Sequence, residues 1–346
     1  MKIKNISRKV AFAILVFSSS LNVNSQDIHF TQFDASPLTI NPAFTGSFNG
    51  VYRVNAIYRN QWSSVTTPFV TYSASFDAPL KKDLSNSDNL AAGFNLYNDR
   101  SGDGNLTNMS IIGSLAYHKF FGEDDSKTLS VGMQGGYSQK SIDLARLYWT
   151  DEFRNGGFQT GLTGEQINPK TKYFTANAGL SWQHMVGEKF SYQLGVAGYN
   201  LNQPNESLLK KANNEVGLGM RINTQIGAKI AASDRISIKP AVMYQTQTSA
   251  SEMIAGSEFA YMLSNTDFRA VGTSVFLGTW YRSNDALLIT LGFELKGFRV
   301  GFGYDYNVSD LKVASGGNGG FDISVRYVKP NLIDLFSRKV FPCSRF

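Results

Sequence analysis

The sequence predicts an all-β chain, a transmembrane antiparallel β-barrel of about fourteen strands with a short segment before it and a tail after it. Three observations carry that expectation. Long stretches alternate strictly with a period of two, the composition is rich in aromatics but poor in charge, and no segment beyond the N-terminus offers the ~20 apolar residues of a membrane-spanning helix.

The alternation is clearest at Leu129, Val131, Met133, Gly135 and Tyr137, which oppose Ser130, Gly132, Gln134, Gly136 and Ser138. Phe174, Ala176, Ala178, Leu180 and Trp182 likewise oppose Thr175, Asn177, Gly179, Ser181 and Gln183. Phe298, Val300, Phe302, Tyr304 and Tyr306 oppose Arg299, Gly301, Gly303, Asp305 and Asn307. A fourth alternating run starts at Val216 and continues past Ile226. Such runs reach about ten residues, the length of a tilted membrane-crossing strand, whereas strands of water-soluble sheets average about five or six. One face is Gly, Ser, Asn, Gln and Arg, and the other is aliphatic with aromatics near its ends, as a lumen and a lipid-facing band require. Charged residues are 17% of the chain and aromatics 13%, well below and above a soluble domain respectively. Averaging a polar and an apolar face also accounts for a slightly negative mean hydropathy.

Each strand follows from the same pattern. The expected strands run over 51–60, 68–78, 89–98, 105–119, 127–141, 172–185, 189–200, 215–230, 234–247, 257–264, 268–282, 285–296, 298–308 and 320–328. The shortest, 257–264, carries the poorest alternation. Pro240 lies inside another run and predicts a bulge there, because proline lacks the N–H a ladder needs. The turn-like connections Gly122–Asp125, Val186–Lys189, Ser233–Arg235 and Lys296–Gly297 fall on alternate links and are expected on the periplasmic side. The long connections 142–171 and 201–214 then face outward.

The N-terminus points to export. Lys2, Lys4, Arg8 and Lys9 precede the apolar run Val10–Phe17, and Val23-Asn24-Ser25 has the small residues of a cleavage site. The expected divisions are a signal peptide over 1–25, a periplasmic or lumenal segment over 26–49, an outer-membrane barrel over 50–328 and a periplasmic tail over 329–346. Removing residues 1–25 takes away four basic residues and no acidic one, leaving 29 basic against 27 acidic. The mature chain is thus near neutral, which argues against nucleic acid as a partner. The lone Cys343 has no internal disulfide partner.

A search for chemistry gives no catalytic, cofactor or metal assignment. The histidines are His29, His118 and His184, with neither a HExxH nor a CxxC pattern around them. Gly217-Leu218-Gly219 and Gly301-Phe302-Gly303 keep strand parity and open no helix, so they read as small lumenal residues and not as phosphate loops. Leu144–Phe153, which includes Tyr148 and Trp149, is apolar and aromatic within an expected outer connection. It either folds back into the barrel mouth or forms a partner-binding patch.

Several further motifs mark a resemblance. Gln32-Phe33, Pro37 and Asn41-Pro42-Ala43-Phe44-Thr45-Gly46-Ser47 are followed by Tyr58-Arg59-Asn60-Gln61-Trp62, Pro68, Ser73 and Asp77-Ala78-Pro79. Gly278-Thr279-Trp280-Tyr281-Arg282, Asp285-Ala286, Gly303-Tyr304-Asp305-Tyr306 and the terminal Cys343-Ser344-Arg345-Phe346 continue the set. Together they resemble the PorP/SprF family of type IX secretion and gliding-associated outer-membrane proteins of Bacteroidetes. Two departures are Gly320-Phe321-Asp322-Ile323-Ser324, where the family has His-Glu before its last strand, and Ser344 in place of proline. The resemblance implies a barrel that is no enzyme and needs no cofactor. Its partners would be outer-membrane lipid, type IX components including a peptidoglycan-binding periplasmic lipoprotein, and the C-terminal domain of a secreted cargo or large adhesin.

On that reading Asn41, Pro42 and Phe44 set a rigid periplasmic segment leading into the barrel. Tyr58, Arg59, Gln61 and Trp62 form the outer end of the first strand and its loop, with Arg59 as a polar anchor able to fork a carboxylate. The same residues would alternatively serve only to fold the first hairpin and a plug. A rival function is a diffusion or uptake channel whose water-filled lumen is lined by Arg221, Arg299, Arg326 and Lys229.

Overall fold

The computed structural model describes residues 30–81, 88–122, 125–154, 157–158, 166–209, 217–263 and 272–331. The expected signal peptide, His29 and Cys343 lie outside them. Fourteen antiparallel strands close into one barrel, as the alternation predicts. They are β1 (Arg53–Gln61), β2 (Phe69–Lys81), β3 (Asn89–Ser101), β4 (Leu106–Phe121), β5 (Lys127–Ser141), β8 (Lys170–Val186), β9 (Phe190–Tyr199), β10 (Arg221–Ala231), β11 (Ile236–Gln247), β12 (Ala250–Met262), β13 (Thr273–Arg282), β14 (Ala286–Leu295), β15 (Phe298–Asn307) and β16 (Asn318–Val328). A two-residue hairpin, β6 (Phe153–Arg154) with β7 (Gly157–Phe158), sits apart in the connection after β5. Strands pair with their neighbours in order, and β1 closes on β16 from Arg53↔Val328 to Gln61↔Gly320.

The two faces separate as the periodicity requires. Ser130, Gly132, Gln134, Gly136 and Ser138 turn inward and are buried, while Val131, Met133 and Tyr137 turn outward and are exposed. Outward-facing Leu, Ile, Val, Phe and Tyr continue around the barrel, from Tyr72 and Phe94 through Phe174 and Ile226 to Phe302. An apolar surface that size is untenable in water and is satisfied by lipid. The start of β1, the end of β16 and the turns between β4 and β5, β8 and β9, β10 and β11, and β14 and β15 share one end, and the connections 142–169 and 200–220 lie at the other. Lys296 and Gly297 make one of those turns with φ of 49° and 87°, the paired left-handed geometry of a two-residue hairpin.

Three expectations change in detail. The strand placed at 257–264 is the thirteen-residue β12, because inward Ile254 packs against an element inside the barrel and puts apolar residues on both faces. The run placed at 215–230 enters the barrel only at Arg221; Gly217 bridges Asn205 and the Leu218 N–H donates to the Pro204 carbonyl, so this stretch pairs with its own loop. Pro240 makes no bulge. It sits opposite Ser257 in unbroken register with β12, and on the β10 side the ladder skips from Gly227↔Ala241 to Ile230↔Ile238 without shifting. The bulge near a proline lies instead between Pro79 and Lys81 of β2.

The core of the molecule lies inside the barrel. Residues 30–49 fold there through three short turns of helix, Phe33–Ala35, Pro37–Ile40 and Pro42–Phe44. Phe33, Ile40 and Phe44 cluster with Ala241, Met243, Ile254, Trp280, Ala286 and Leu288 of β11–β14. Phe33 meets Trp280 edge to face, with centroids 5.2 Å apart.

Candidate functional site

The site is the contact between this inserted segment and the barrel wall. Arg59 projects inward from β1 because its parity matches Arg53 and Asn55, and its side chain is 1% exposed. Its Nη1 donates to Asp322 Oδ1 at 2.7 Å and its Nη2 to Asp305 Oδ2 at 2.7 Å, so one guanidinium joins β1, β15 and β16. The same Nη1 reaches Thr31 Oγ1 at 2.6 Å, and the Thr31 hydroxyl donates to Asp305. The Thr31 and Gln32 N–H groups both donate to Asp322 Oδ2, at 2.6 and 3.2 Å. Arg282 of β13 extends the network to Asp305 and Asp285, each at 3.0 Å, and to Glu252 at 3.6 Å.

A second ionic group lies lower on the same side. Arg299 holds Glu258 at 2.6 Å and Glu294 at 2.8 Å, approaches Asp34 of the segment at 3.8 Å, and sits 3.6 Å from the Phe276 ring centroid. Arg326 shares Glu294 and Lys239 shares Glu258. Near the chain's entrance to β1, Arg53 forks Asp77 at 3.0 and 2.8 Å and donates to the Phe44 carbonyl. Asp77 also accepts the Gly46 N–H at 2.7 Å.

The opposite wall, β4, β5, β8 and β9, buries no Asp, Glu, Lys or Arg. It holds the segment through amides and hydroxyls. Asn41 works in two directions: its Oδ1 accepts the Ala43 N–H and caps the turn that Pro42 opens, while its Nδ2 donates to the Leu180 and Val196 carbonyls. Gln134 donates to the Leu38 carbonyl at 2.9 Å and Gln183 to Ser47 Oγ at 2.8 Å. His118 is fully buried, with Nε2 2.7 Å from the Thr45 carbonyl and Nδ1 2.7 Å from Ser130 Oγ. A carbonyl only accepts, so Nε2 carries a proton, and Nδ1 shares a hydrogen bond with the serine hydroxyl. Glycine makes this fit possible, since a Cβ on Gly132 would stand 2.3 Å from the Pro42 carbonyl carbon and one on Gly179 2.0 Å from Asn41 Oδ1.

The residues singled out in sequence thus divide. Asn41, Pro42, Phe44, Arg59 and Gln61 are buried inside, where they contact other parts of this chain. Tyr58 faces outward between Tyr72 and Phe321, and Trp62 closes on Phe69 at the outer end of β1. Tyr148 is 69% exposed and Trp149 half-buried in the connection after β5. That connection leans on the turn between β3 and β4, where the Asp143 N–H donates to the Gly104 carbonyl, and Phe153 is exposed beside it. Arg299 and Arg326, read as possible channel lining, are tied into ion pairs, and Arg221 lies over the Tyr199 ring and donates to the Thr39 carbonyl. Sequence reasoning did not single out Asp305, Asp322, Arg282 or Thr31 as a unit. The available signal was charge at inward parity within otherwise uncharged strands, as in Tyr304-Asp305-Tyr306. Among the described residues, no group of three or more His, Cys, Asp or Glu side chains is placed to hold a metal ion.

A closed fourteen-strand barrel with a lipid-facing exterior and a structured segment packed in its interior defines an outer-membrane β-barrel of the plugged kind. Residues 22–327 match the family described as type IX secretion system membrane protein PorP/SprF. The chain belongs to that family, and is therefore an outer-membrane component of type IX secretion. No curated protein sequence matches it. Among solved structures it is similar in fold to the Pseudomonas putida toluene transporter TodX, with a TM-score of 0.50, 10% identity, and 86% of this chain and 93% of that one covered. The Ralstonia pickettii toluene transporter TbuX gives a TM-score of 0.48 at 8% identity, with 86% and 93% covered. At these identities the likeness concerns fold alone.

Proposed function

We propose that the barrel works as a non-catalytic docking component that partners a secreted protein, such as a large adhesin, for export or surface attachment. The observation that supports this most is the inserted segment itself. It is fixed to both walls of the lumen by buried ion pairs and hydrogen bonds, so the surfaces left for function are the two ends. The outer end offers Tyr148, Trp149 and Phe153 on a long connection, an aromatic group of the kind enriched at protein interfaces. The end bearing the short turns faces the periplasm, where a peptidoglycan-binding lipoprotein of the same system would dock.

Pull-down of the tagged barrel from gently solubilised outer membrane, followed by mass spectrometry, tests the reading. Recovery of a large exported protein together with type IX lipoproteins is the expected result. Recovery of the barrel alone, combined with large open-channel steps of the pure protein in a planar bilayer, would replace docking with the channel function.

A further inference from the structure

We propose that the outward face of β3, β4, β5 and β8, at the end bearing the connections 142–169 and 200–220, binds the phosphorylated headgroup of an outer-leaflet glycolipid. Strand register assembles this surface. Arg100, Thr107, Ser141 and Lys170 stand directly opposite one another on the four adjacent strands. Gln139 and Lys172 face each other one row further in. The next row is Leu96, Ile111, Tyr137 and Phe174, all exposed and apolar or aromatic. Parity turns every one of these side chains outward, because Asn95, Ser110, Ser138 and Thr175 of the alternate set are buried inside.

Charge sets this sector apart from the rest of the circumference. In the outer halves of the fourteen strands, the outward-facing charged side chains are Arg100, Lys170 and Lys172, and all three are exposed and positive. Elsewhere the apolar band ends in aromatic residues, such as Tyr244 on β11, Tyr281 on β13 and Tyr306 on β15. The neighbouring carboxylates are engaged in other contacts. Asp99 accepts from Thr71 on the inner side, Asp103 accepts from Thr67, Asp143 pairs with Arg146, and Glu206 pairs with Lys140. Among the described residues, none of the three cations has a carboxylate partner.

Position and spacing select the ligand. A long cationic side chain just above a lipid-facing band lays its aliphatic stem along the acyl chains and its head among the lipid phosphates. Neighbouring strands lie about 4.8 Å apart, so Arg100 and Lys170 are separated by roughly 14 Å across three intervals. One phosphodiester headgroup is too small to reach both. A sugar headgroup carrying two phosphates spans them, with the guanidinium forking one phosphate and the two ammonium groups holding the other. Ser141 and Gln139 lie between these charges and offer hydroxyl and amide partners to the sugar oxygens.

The test uses the whole barrel purified in a nonionic detergent and mixed with bisphosphorylated lipid A. Dephosphorylated lipid A and phosphatidylglycerol serve as comparisons, the second to separate a glycolipid from any anionic lipid. Native mass spectrometry would follow the lipid retained per barrel as its concentration rises. The expected result is saturable retention of one lipid A, tighter than either comparison. Lys170→Gln with Lys172→Gln should weaken it about tenfold or more, and Arg100→Gln should weaken it as well. All three side chains are exposed, so the unfolding midpoint should stay that of the wild type. Lys189→Gln with Arg235→Gln removes two exposed charges from turns at the opposite end and should leave retention unchanged. Equal retention of dephosphorylated lipid A or of phosphatidylglycerol, no loss in the Lys170 and Lys172 double variant, or the same loss in the turn variant would each overturn the assignment.

Discussion

The two walls of this barrel grip the same segment by different physics. On the side of β1 and β12–β16, Arg59, Arg282 and Arg299 meet Asp305, Asp322, Glu252 and Glu258, nearly all removed from solvent. On the side of β4, β5, β8 and β9 the contacts are Asn41, Gln134, Gln183 and His118 with backbone and hydroxyl partners, over glycines that let the chain approach. A buried ion pair gains little net stability, because desolvation offsets most of its attraction, yet losing one partner strands the other charge. The ionic wall therefore enforces a single register for the segment more than it adds to stability. The amide wall depends on shape, where one methyl group too many separates the surfaces.

That contrast can be broken experimentally, most severely at the ionic wall. Arg59→Ala leaves Asp305 and Asp322 facing each other without their shared cation, and should lower stability by about 3–5 kcal/mol. Urea unfolding of the refolded barrel in detergent, with limited proteolysis of the segment, would show it. Arg59→Met combined with Asp305→Asn and Asp322→Asn should recover a good part of the loss; a triple variant as unstable as the single one would mean that the charges are not acting as a unit.

At the amide wall the expected loss is smaller. Gly132→Val forces a side chain against the Pro42 backbone and should cost about 1–3 kcal/mol. Gly113→Ala is the matched control, since its Cβ would meet nothing closer than 3.8 Å. Its unfolding midpoint should equal that of the wild type, and a Gly132 variant no worse than this control would show that close approach is unimportant there. Planar-bilayer recordings sharpen the same comparison. Loosening the segment by Arg59→Ala should raise the frequency of conducting events, and Gly113→Ala should not.

The smallest effect on stability is expected at the outer connection. Tyr148 and Phe153 are both more than half exposed, so Tyr148→Ser with Phe153→Ser should change the unfolding free energy by less than about 0.5 kcal/mol. The same double variant should reduce recovery of the exported partner in the pull-down, and undiminished recovery would move the docking surface elsewhere.

The barrel was legible in the chain because lipid and lumen impose opposite demands on successive residues. Ser130 through Ser138 and Phe298 through Asn307 announce their faces by parity alone. β12 was harder to read, since Ile254 faces inward to meet a segment two hundred residues earlier. Asn41-Pro42 and Tyr58-Arg59 stood out as motifs, but the sequence could not tell a periplasmic arm from an element packed inside the barrel. Their roles come from partners distant in the chain: Arg59 from Asp305 and Asp322, Asn41 from Leu180 and Val196.

By itself, then, the sequence determined strand number, the inward and outward faces, and the family, because these rest on local periodicity and short motifs. Only the tertiary structure decided that residues 30–49 occupy the lumen and that one wall holds them by charge and the other by amides. Closing a barrel brings residues hundreds of positions apart to contact distance, and no local pattern records which inward side chains will meet.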